Sequence, residues 1–412
     1  MLDHPPRGRE SISWSLACAW ALVIYTVVPY ARSIQTFVSD HWGRRLFTHI
    51  VLAVIVLAAA KAGLLLARRR PVLRWWNIAC LGAVALAFAI FAVNLRDAPE
   101  EALHLVEYGG LSLLVFRALS HRVRDPSIYF SAWVITTIFG IGDELLQFLV
   151  PGRYWDFRDI AINASAAALM QVALAGGIRP GFVSRPASPA SMVLLCRAAF
   201  GLLAILTIAC ANTPPRMAWI RAHAPFDMVR RIDDIMIEYG HAFVHPEAGV
   251  VKSRLTPDEL LAFDREHAEE TAATLDRFQG KRYEKFFRAC VPWENPFLYE
   301  ARVRLFRRDY HLKLAIRLRG KPSDLHQHAT IAYREQQILD TWFSNTVARS
   351  AYRWPPEIMP ALGPFVENKT PYETLVSRHL ICSFSERQLM TALPVAMLAV
   401  GLMHAYYFRR KT

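Results

Sequence analysis

The chain has 412 residues, 53% of them hydrophobic, and a formal net charge of +13. This apolar share argues against a purely soluble protein and indicates membrane-spanning segments joined to a soluble part. The charge gives no reason to expect a nucleic-acid partner, because much of it lies in short segments between apolar stretches.

Eight windows of about twenty mostly apolar residues are long enough to cross the hydrocarbon core of a bilayer. They lie at 14–31, 47–67, 75–95, 101–118, 128–149, 159–177, 192–212 and 389–408. We therefore expect a mainly α, polytopic helical membrane protein of about eight transmembrane helices. Six of these would form a membrane domain over residues 1–178, and the other two would flank an inserted domain.

Arginine-rich segments between the windows predict the orientation. Counting alternate loops, these clusters fall on one side, which the positive-inside rule makes cytoplasmic: Arg68 to Arg70 with Arg74, then Arg117, Arg122 and Arg124, then Arg409, Arg410 and Lys411. Both termini and the linker 179–191 are then cytoplasmic. Residues 213–388 are expected to form an extracytoplasmic α+β domain, followed by a transmembrane helix and basic tail over 389–412.

Polar side chains cluster at the ends of the fourth, fifth and sixth windows. Ionisable groups inside membrane helices are costly to desolvate and tend to mark function. Because successive helices run in opposite directions, all of these residues are expected at one depth, in the outer leaflet. They are His104, Glu107, Tyr108, Asp143, Glu144, Gln147, Asp159 and Asn163, together with Arg153 and Asp156 in the connecting loop.

The order and spacing of these residues form a motif: H-x-x-x-Y, then D-E-x-x-Q-x-x-x-P-G-R, then D-x-x-D and an Asn. Over roughly 100–175 this resembles the VanZ-like family of bacterial membrane proteins, named for teicoplanin resistance. The family often has Asp-Lys where this chain has Glu100-Glu101, and glycines where it has Ala164-Ser165-Ala166. The resemblance implies a bacterial cytoplasmic membrane protein with a link to envelope homeostasis or glycopeptide tolerance, but it brings no established reaction.

Three functions fit the polar cluster. The favoured one is recognition of an envelope lipid or glycolipid headgroup, in which Arg153 holds phosphate, His104 and Glu107 supply hydrogen bonds, and the acidic pair tunes charge or holds a cation. The second is a hydrolase or transferase for a lipid-linked substrate, with His104, Asp143 and Glu144 as catalytic candidates. The third is a structural anchor, in which the helices only mount the external domain and the polar groups fix the helix bundle. No particular cofactor is implied.

Residues 213–388 resemble no family that we recognise. Thr256 to Glu259 form a capping box that predicts a helix start, and apolar spacing predicts a helix over 329–349. Alternating apolar and basic residues over 301–305 and 312–318 predict a β-hairpin. We expect the partner of this domain to be an envelope polymer or protein.

The cysteines and histidines of residues 213–388 lead to two further predictions. Cys290 and Cys382 are a disulfide candidate, because an extracytoplasmic compartment permits pairing. No metal site is predicted, since His241, His245, His326 and His328 lack a zinc motif.

Overall fold

A computed structural model describes residues 7–43, 45–67, 75–95, 99–150, 155–223, 235–280, 285–286, 289–290, 294–317, 322–367 and 381–411. The chain divides into two compact units. The first comprises Met1–Ala211, Ile220–Met236 and Leu389–Thr412, and the second comprises Asn212–Trp219 and Ile237–Gln388.

The first unit is helical. Its described α-helices are α1 (Arg7–Val27), α2 (Ala31–Trp42), α3 (Arg45–Ala67), α4 (Trp75–Asn94), α5 (Leu103–Leu119), α6 (Ser127–Leu149), α7 (Phe157–Val172), α8 (Pro189–Ala211) and most of the C-terminal α16 (Glu386–Lys411). Helix α9 (Pro214–His223) is divided between the two units. Eight stretches in the described residues are long and apolar enough to cross a membrane, and each coincides with a predicted window. The prediction of a mainly helical protein with eight candidate membrane-spanning helices is therefore confirmed.

Helix α5 lies at the centre of this unit, where it packs against α1, α3, α6 and α7. The side chains of Leu105, Tyr108, Leu111 and Val115 are fully or almost fully buried in the largest hydrophobic core. Their spacing of three and four residues places them along one side of the helix. The position of α5 explains why polar residues near its first turn lie close to several other helices.

Two glycines on α6 permit close packing. A Cβ atom on Gly142 would lie 2.6 Å from the Tyr25 hydroxyl of α1, and one on Gly140 would lie 3.0 Å from Cβ of Asn163 on α7. The Tyr25 hydroxyl donates to the carbonyl oxygen of Phe139 at 2.7 Å. These contacts bring α1 and α7 against the same part of α6.

The second unit is mainly helical in its described parts. It contains β1 (Glu238–Tyr239), β2 (His241–His245), β3 (Gly249–Ser253), α10 (Pro257–Glu266), α11 (Ala268–Arg277), α12 (Pro296–Arg317), α13 (Pro322–Trp342), α14 (Ser344–Arg349), α15 (Ile358–Leu362) and β4 (Ile381–Cys382). Strands β2 and β3 are antiparallel, whereas β1 and β4 are parallel. The strands form two separate two-stranded sheets. These short strands do not confirm the predicted α+β domain.

The β-hairpin predicted from 301–305 and 312–318 is wrong, because residues 301–317 lie within the single helix α12. Arg304 and Arg308 are only 1% exposed and lie on the buried side of the helix with Ala301 and Leu305. An Arg304 nitrogen lies 3.3 Å from a Glu335 oxygen, and Arg308 donates at 2.7 Å to the side-chain oxygen of Gln336. The prediction placed Arg302 and Arg304 on the basic face of a strand, whereas both side chains are buried.

Both helices predicted within residues 213–388 are present. Thr256 and Glu259 form a complete capping box at the start of α10, and residues 329–349 fall within α13 and α14 with a break at Phe343. The Cys290 and Cys382 thiols are free, so the candidate disulfide is not formed in the structure. Cys290 instead packs against the second hydrophobic core, and Cys382 lies in β4.

Candidate functional site

A cavity of about 310 Å³ opens where α1, α2, α5, α6 and α7 meet. Its wall combines apolar residues of α1 with polar residues of α2, α5, α6 and α7. The described lining residues are Ile24, Val27, Val28, Ala31, Arg32, Ile34, Gln35, Phe47, Glu100, Glu101, Leu103, His104, Glu107, Asp143, Gln147, Asp156 and Asp159.

Six of the ten predicted site residues line this cavity: His104, Glu107, Asp143, Gln147, Asp156 and Asp159. Helical spacing explains the arrangement. His104 and Glu107 are three residues apart on α5, and Asp143 and Gln147 are four apart on α6, so each pair shares a helix face. The His104 Nδ1 atom lies 3.4 Å from a Glu107 carboxyl oxygen.

Helix α7 begins beside the cavity because Asp156 caps its N-terminus, accepting a hydrogen bond from the Arg158 backbone N–H at 2.7 Å. Asp159 follows in the first turn, where a carboxyl group interacts favourably with the helix dipole. The cap and the first turn together direct two acidic side chains to the cavity wall.

Glu144 supports the wall without lining it. Its two carboxyl oxygens accept hydrogen bonds from the Gln147 side-chain amide at 2.8 Å and from the Asp156 backbone N–H at 3.0 Å. Adjacent residues on a helix point about 100° apart, and here Asp143 lines the cavity whereas Glu144 does not. Glu144 therefore joins the end of α6 to the start of α7.

Tyr108 and Asn163 are fully buried and are also not among the lining residues. Both approach Gly140, since a Cβ atom there would lie 3.0 Å from Asn163 and 3.4 Å from the Tyr108 ring. Neither polar atom of the Asn163 amide has a hydrogen-bond partner among the described residues. These two residues belong to the helix interface beneath the cavity.

The cavity also contains residues that sequence reasoning did not select, namely Arg32 and Gln35 on α2 and Glu100 and Glu101 before α5. Gln35 donates to a Glu100 side-chain oxygen at 2.7 Å, and Arg158 forms an ion pair with Glu101 at 2.7 Å. The three-residue spacing of Arg32 and Gln35 within an amphipathic segment was the available sequence signal.

Acidic groups predominate on the cavity wall. Six carboxyl groups line it, from Glu100, Glu101, Glu107, Asp143, Asp156 and Asp159, against two described basic side chains, Arg32 and His104. Within the part of the chain that the structure describes, no three His, Cys, Asp or Glu side chains are grouped to hold a metal ion. Arg153, the predicted phosphate ligand, lies outside the described residues.

Residues 15–175 match the VanZ/LLP1 family model. The first unit thus carries a VanZ-like domain. The match confirms the resemblance drawn from the polar motif and extends it back to α1, the helix that supplies the apolar side of the cavity. No curated protein and no solved structure matches the chain. The cavity therefore lies within the VanZ-like domain, since every described lining residue falls in the matched range.

Proposed function

We propose that this VanZ-like membrane protein recognises the headgroup of an envelope lipid or glycolipid at the outer leaflet, and that the headgroup carries an amine. The observation behind this proposal is the convergence of polar side chains from α5, α6 and α7 on one cavity, which apolar residues of α1 and α2 also line. A pocket rich in carboxyl groups favours an ammonium group over a bare phosphate.

Recognition divides among the lining residues by chemistry. Asp143 and Glu107 would accept hydrogen bonds from the amine, and His104 and Gln147 would position it. In the sequence-based prediction Arg153 holds an adjoining phosphate, and this role remains part of the proposal. A link to envelope homeostasis or glycopeptide tolerance derives from the family resemblance and would follow from sequestering such a lipid.

Mass spectrometry of lipids that co-purify with the protein tests the proposal. Wild type is expected to retain an amine-bearing lipid above its share of the membrane, and Asp143→Asn is expected to lose that enrichment. Enrichment of phosphatidylethanolamine or of an amino-sugar lipid would distinguish the two sources of the amine. Arg153→Ala tests the phosphate contact separately, and identical lipid profiles in wild type and Asp143→Asn would overturn the proposal.

An enzymatic role is the second candidate, because the His104–Glu107 pair lies beside Asp143 in the same cavity. In that case Asp143 would be the general base and His104 its proton partner. Turnover of a labelled amine-bearing lipid by purified protein, abolished in Asp143→Asn, would support the enzyme. Retention of the lipid without turnover would support recognition.

A further inference from the structure

A second cavity, of about 530 Å³, lies in the same unit among α1, α3, α4, α5, the end of α7 and the short π-helix (Ala173–Ile178) that follows it. Its described lining side chains are apolar except for Lys61. Small residues provide the space, namely Ala58, Ala59 and Ala62 on α3 and Gly109 and Gly110 on α5.

The two cavities follow one another along shared helix faces. On α1, Ile24 lines the acidic cavity and Trp20, four residues earlier, lines the apolar one. On α5 the corresponding residues are Leu103 and then Val106, Gly110 and Leu113, at spacings of three, seven and ten. Residues at these spacings lie on one side of a helix.

Helix α3 shows the same order, because Phe47 lines the acidic cavity and Val54, seven residues later, lines the apolar one. On each of the helices α1, α3 and α5, residues that line the acidic cavity and residues that line the apolar cavity therefore lie on the same side of the helix.

Trp20 lies at the junction of the cavities. Its indole N–H donates to the backbone oxygen of Glu107 at 2.9 Å, and its ring lies 3.3 Å from where a Cβ atom on Gly110 would be. Trp20 thus contacts Glu107, which lines the acidic cavity, and Gly110, which lines the apolar cavity.

Together, the two cavities extend over about one leaflet. At 1.5 Å per residue, the ten residues from Leu103, which lines the acidic cavity, to Leu113, which lines the apolar one, span about 15 Å. This is about half of the ~30 Å hydrocarbon core. We propose that the apolar cavity holds an acyl chain of the same lipid whose amine headgroup occupies the acidic cavity. This inference rests on the proposed function and specifies its ligand as an intact amphiphile.

Photo-crosslinking tests the inference in the full-length protein. The protein is placed in phosphatidylglycerol nanodiscs that contain one of two probes with the same diazirine-labelled acyl chain, either phosphatidylethanolamine or phosphatidylglycerol. Adducts are then located by peptide mass spectrometry. The ethanolamine probe is expected to label α3 and α5 around Ala59, Val106 and Leu113 at least severalfold more than the glycerol probe does.

Two matched variants separate a specific site from surrounding lipid. Ala59→Phe with Ala62→Phe fills the cavity and should remove the enriched labelling, whereas Ala60→Phe lies on the same helix outside the lining residues and should retain it. Leu113→Trp fills the cavity from α5 and replaces the double variant if that protein does not fold.

The outcomes are distinguishable. Even labelling of α3, α5 and the outlying helix α16, or labelling that the filled variants keep, would overturn the acyl-chain site. Labelling of the apolar cavity that is the same with both headgroups and unchanged in Asp143→Asn would overturn the headgroup recognition. The assignment of both cavities to one lipid would then fail as well. Labelling that requires both the ethanolamine headgroup and an open cavity supports the inference.

Discussion

At the residue scale, the neighbours Asp143 and Glu144 have different roles. Glu144→Ala removes the acceptor for the Gln147 side chain and the Asp156 backbone N–H, and each buried donor left without an acceptor costs about 1–3 kcal/mol. We expect a clearly lower unfolding temperature in detergent for Glu144→Ala. Asp143→Asn should melt close to wild type, and equal destabilisation by both variants would contradict this division.

The close approach of α1 to α6 depends on glycine at position 142, which has no side chain. Gly142→Ala would place a methyl group 2.6 Å from the Tyr25 hydroxyl, and overpacking of this kind costs about 1–3 kcal/mol. Gly63→Ala on α3 is the control, since nothing lies within 4 Å of a Cβ atom there. Thermal unfolding should show a loss for Gly142→Ala and none for Gly63→Ala; two similar melting curves would contradict the packing.

The sequence predicts polar residues of the site better than it assigns their roles. The 104/107 and 143/147 spacings were sufficient to place those four residues on the cavity wall. Glu144, Tyr108 and Asn163 belong to the same motif but face the helix interfaces, because the direction of each side chain depends on how the helices rotate in the bundle. Sequence spacing alone does not define that rotation.

At the element scale, the fold of the second unit depends on buried charges between α12 and α13. Glu335 lies within 3.3 Å of Arg304 and 3.2 Å of Arg307. Removing one partner of a buried ion pair leaves an uncompensated charge and costs about 3–5 kcal/mol. Glu335→Ala should therefore greatly lower the unfolding temperature of this unit, measured with limited proteolysis of the full chain.

The matched control is Glu357→Ala, at an exposed position in the same unit. Exposed substitutions usually change stability by less than about 0.5 kcal/mol. If both glutamate variants resist protease equally well up to the same temperature, the buried pairing is not a major source of stability.

A histidine pair between the same two helices gives this unit an acid-sensitive contact. Nδ1 of His311 lies 2.9 Å from Nδ1 of His328. Burial, together with the positive charge of Arg307 and the nearby His328, lowers the pKa of His311 from 6.5 to about 3. The unfolded chain takes up this proton near pH 6.5 while the folded chain does not, so stability falls as the pH drops from 6.5 towards 3.

His311→Gln keeps a hydrogen-bonding side chain and removes the titration. The unfolding temperature of wild type should fall between pH 7.5 and pH 5, and that of His311→Gln should fall less. His241→Gln, at an exposed position, should behave as wild type. An equal acid-induced decrease in wild type and His311→Gln would show that the pair does not contribute.

Element prediction succeeded where length and hydrophobicity decide the structure. A run of about twenty apolar residues has few stable alternatives in a bilayer, and all eight predicted windows are helices. Prediction failed at α12 because Arg304 and Arg308 are buried through partners on another helix. Such partners are about thirty residues away in sequence, beyond the range of a local periodic pattern.

At the scale of the whole molecule, the VanZ-like domain combines an acidic cavity and an apolar cavity along common faces of α1, α3 and α5. The meeting of three spans at one polar site followed from their alternating directions, and the structure brings six of the predicted residues together there. The apolar cavity was not predicted, because alanine and glycine positions in spans are also typical of ordinary helix packing.

The central claim is that the acidic cavity binds an amine headgroup, and its most direct test is a titration of the purified full-length protein with a headgroup that has no acyl chains. Glycerophosphoethanolamine should bind wild type with one site. Its affinity should fall about tenfold or more in Asp143→Asn, corresponding to about 1.4 kcal/mol or more. Glycerophosphoglycerol, which lacks the amine, should bind much more weakly. Equal binding of the two headgroups, or unchanged binding in Asp143→Asn, would contradict the account.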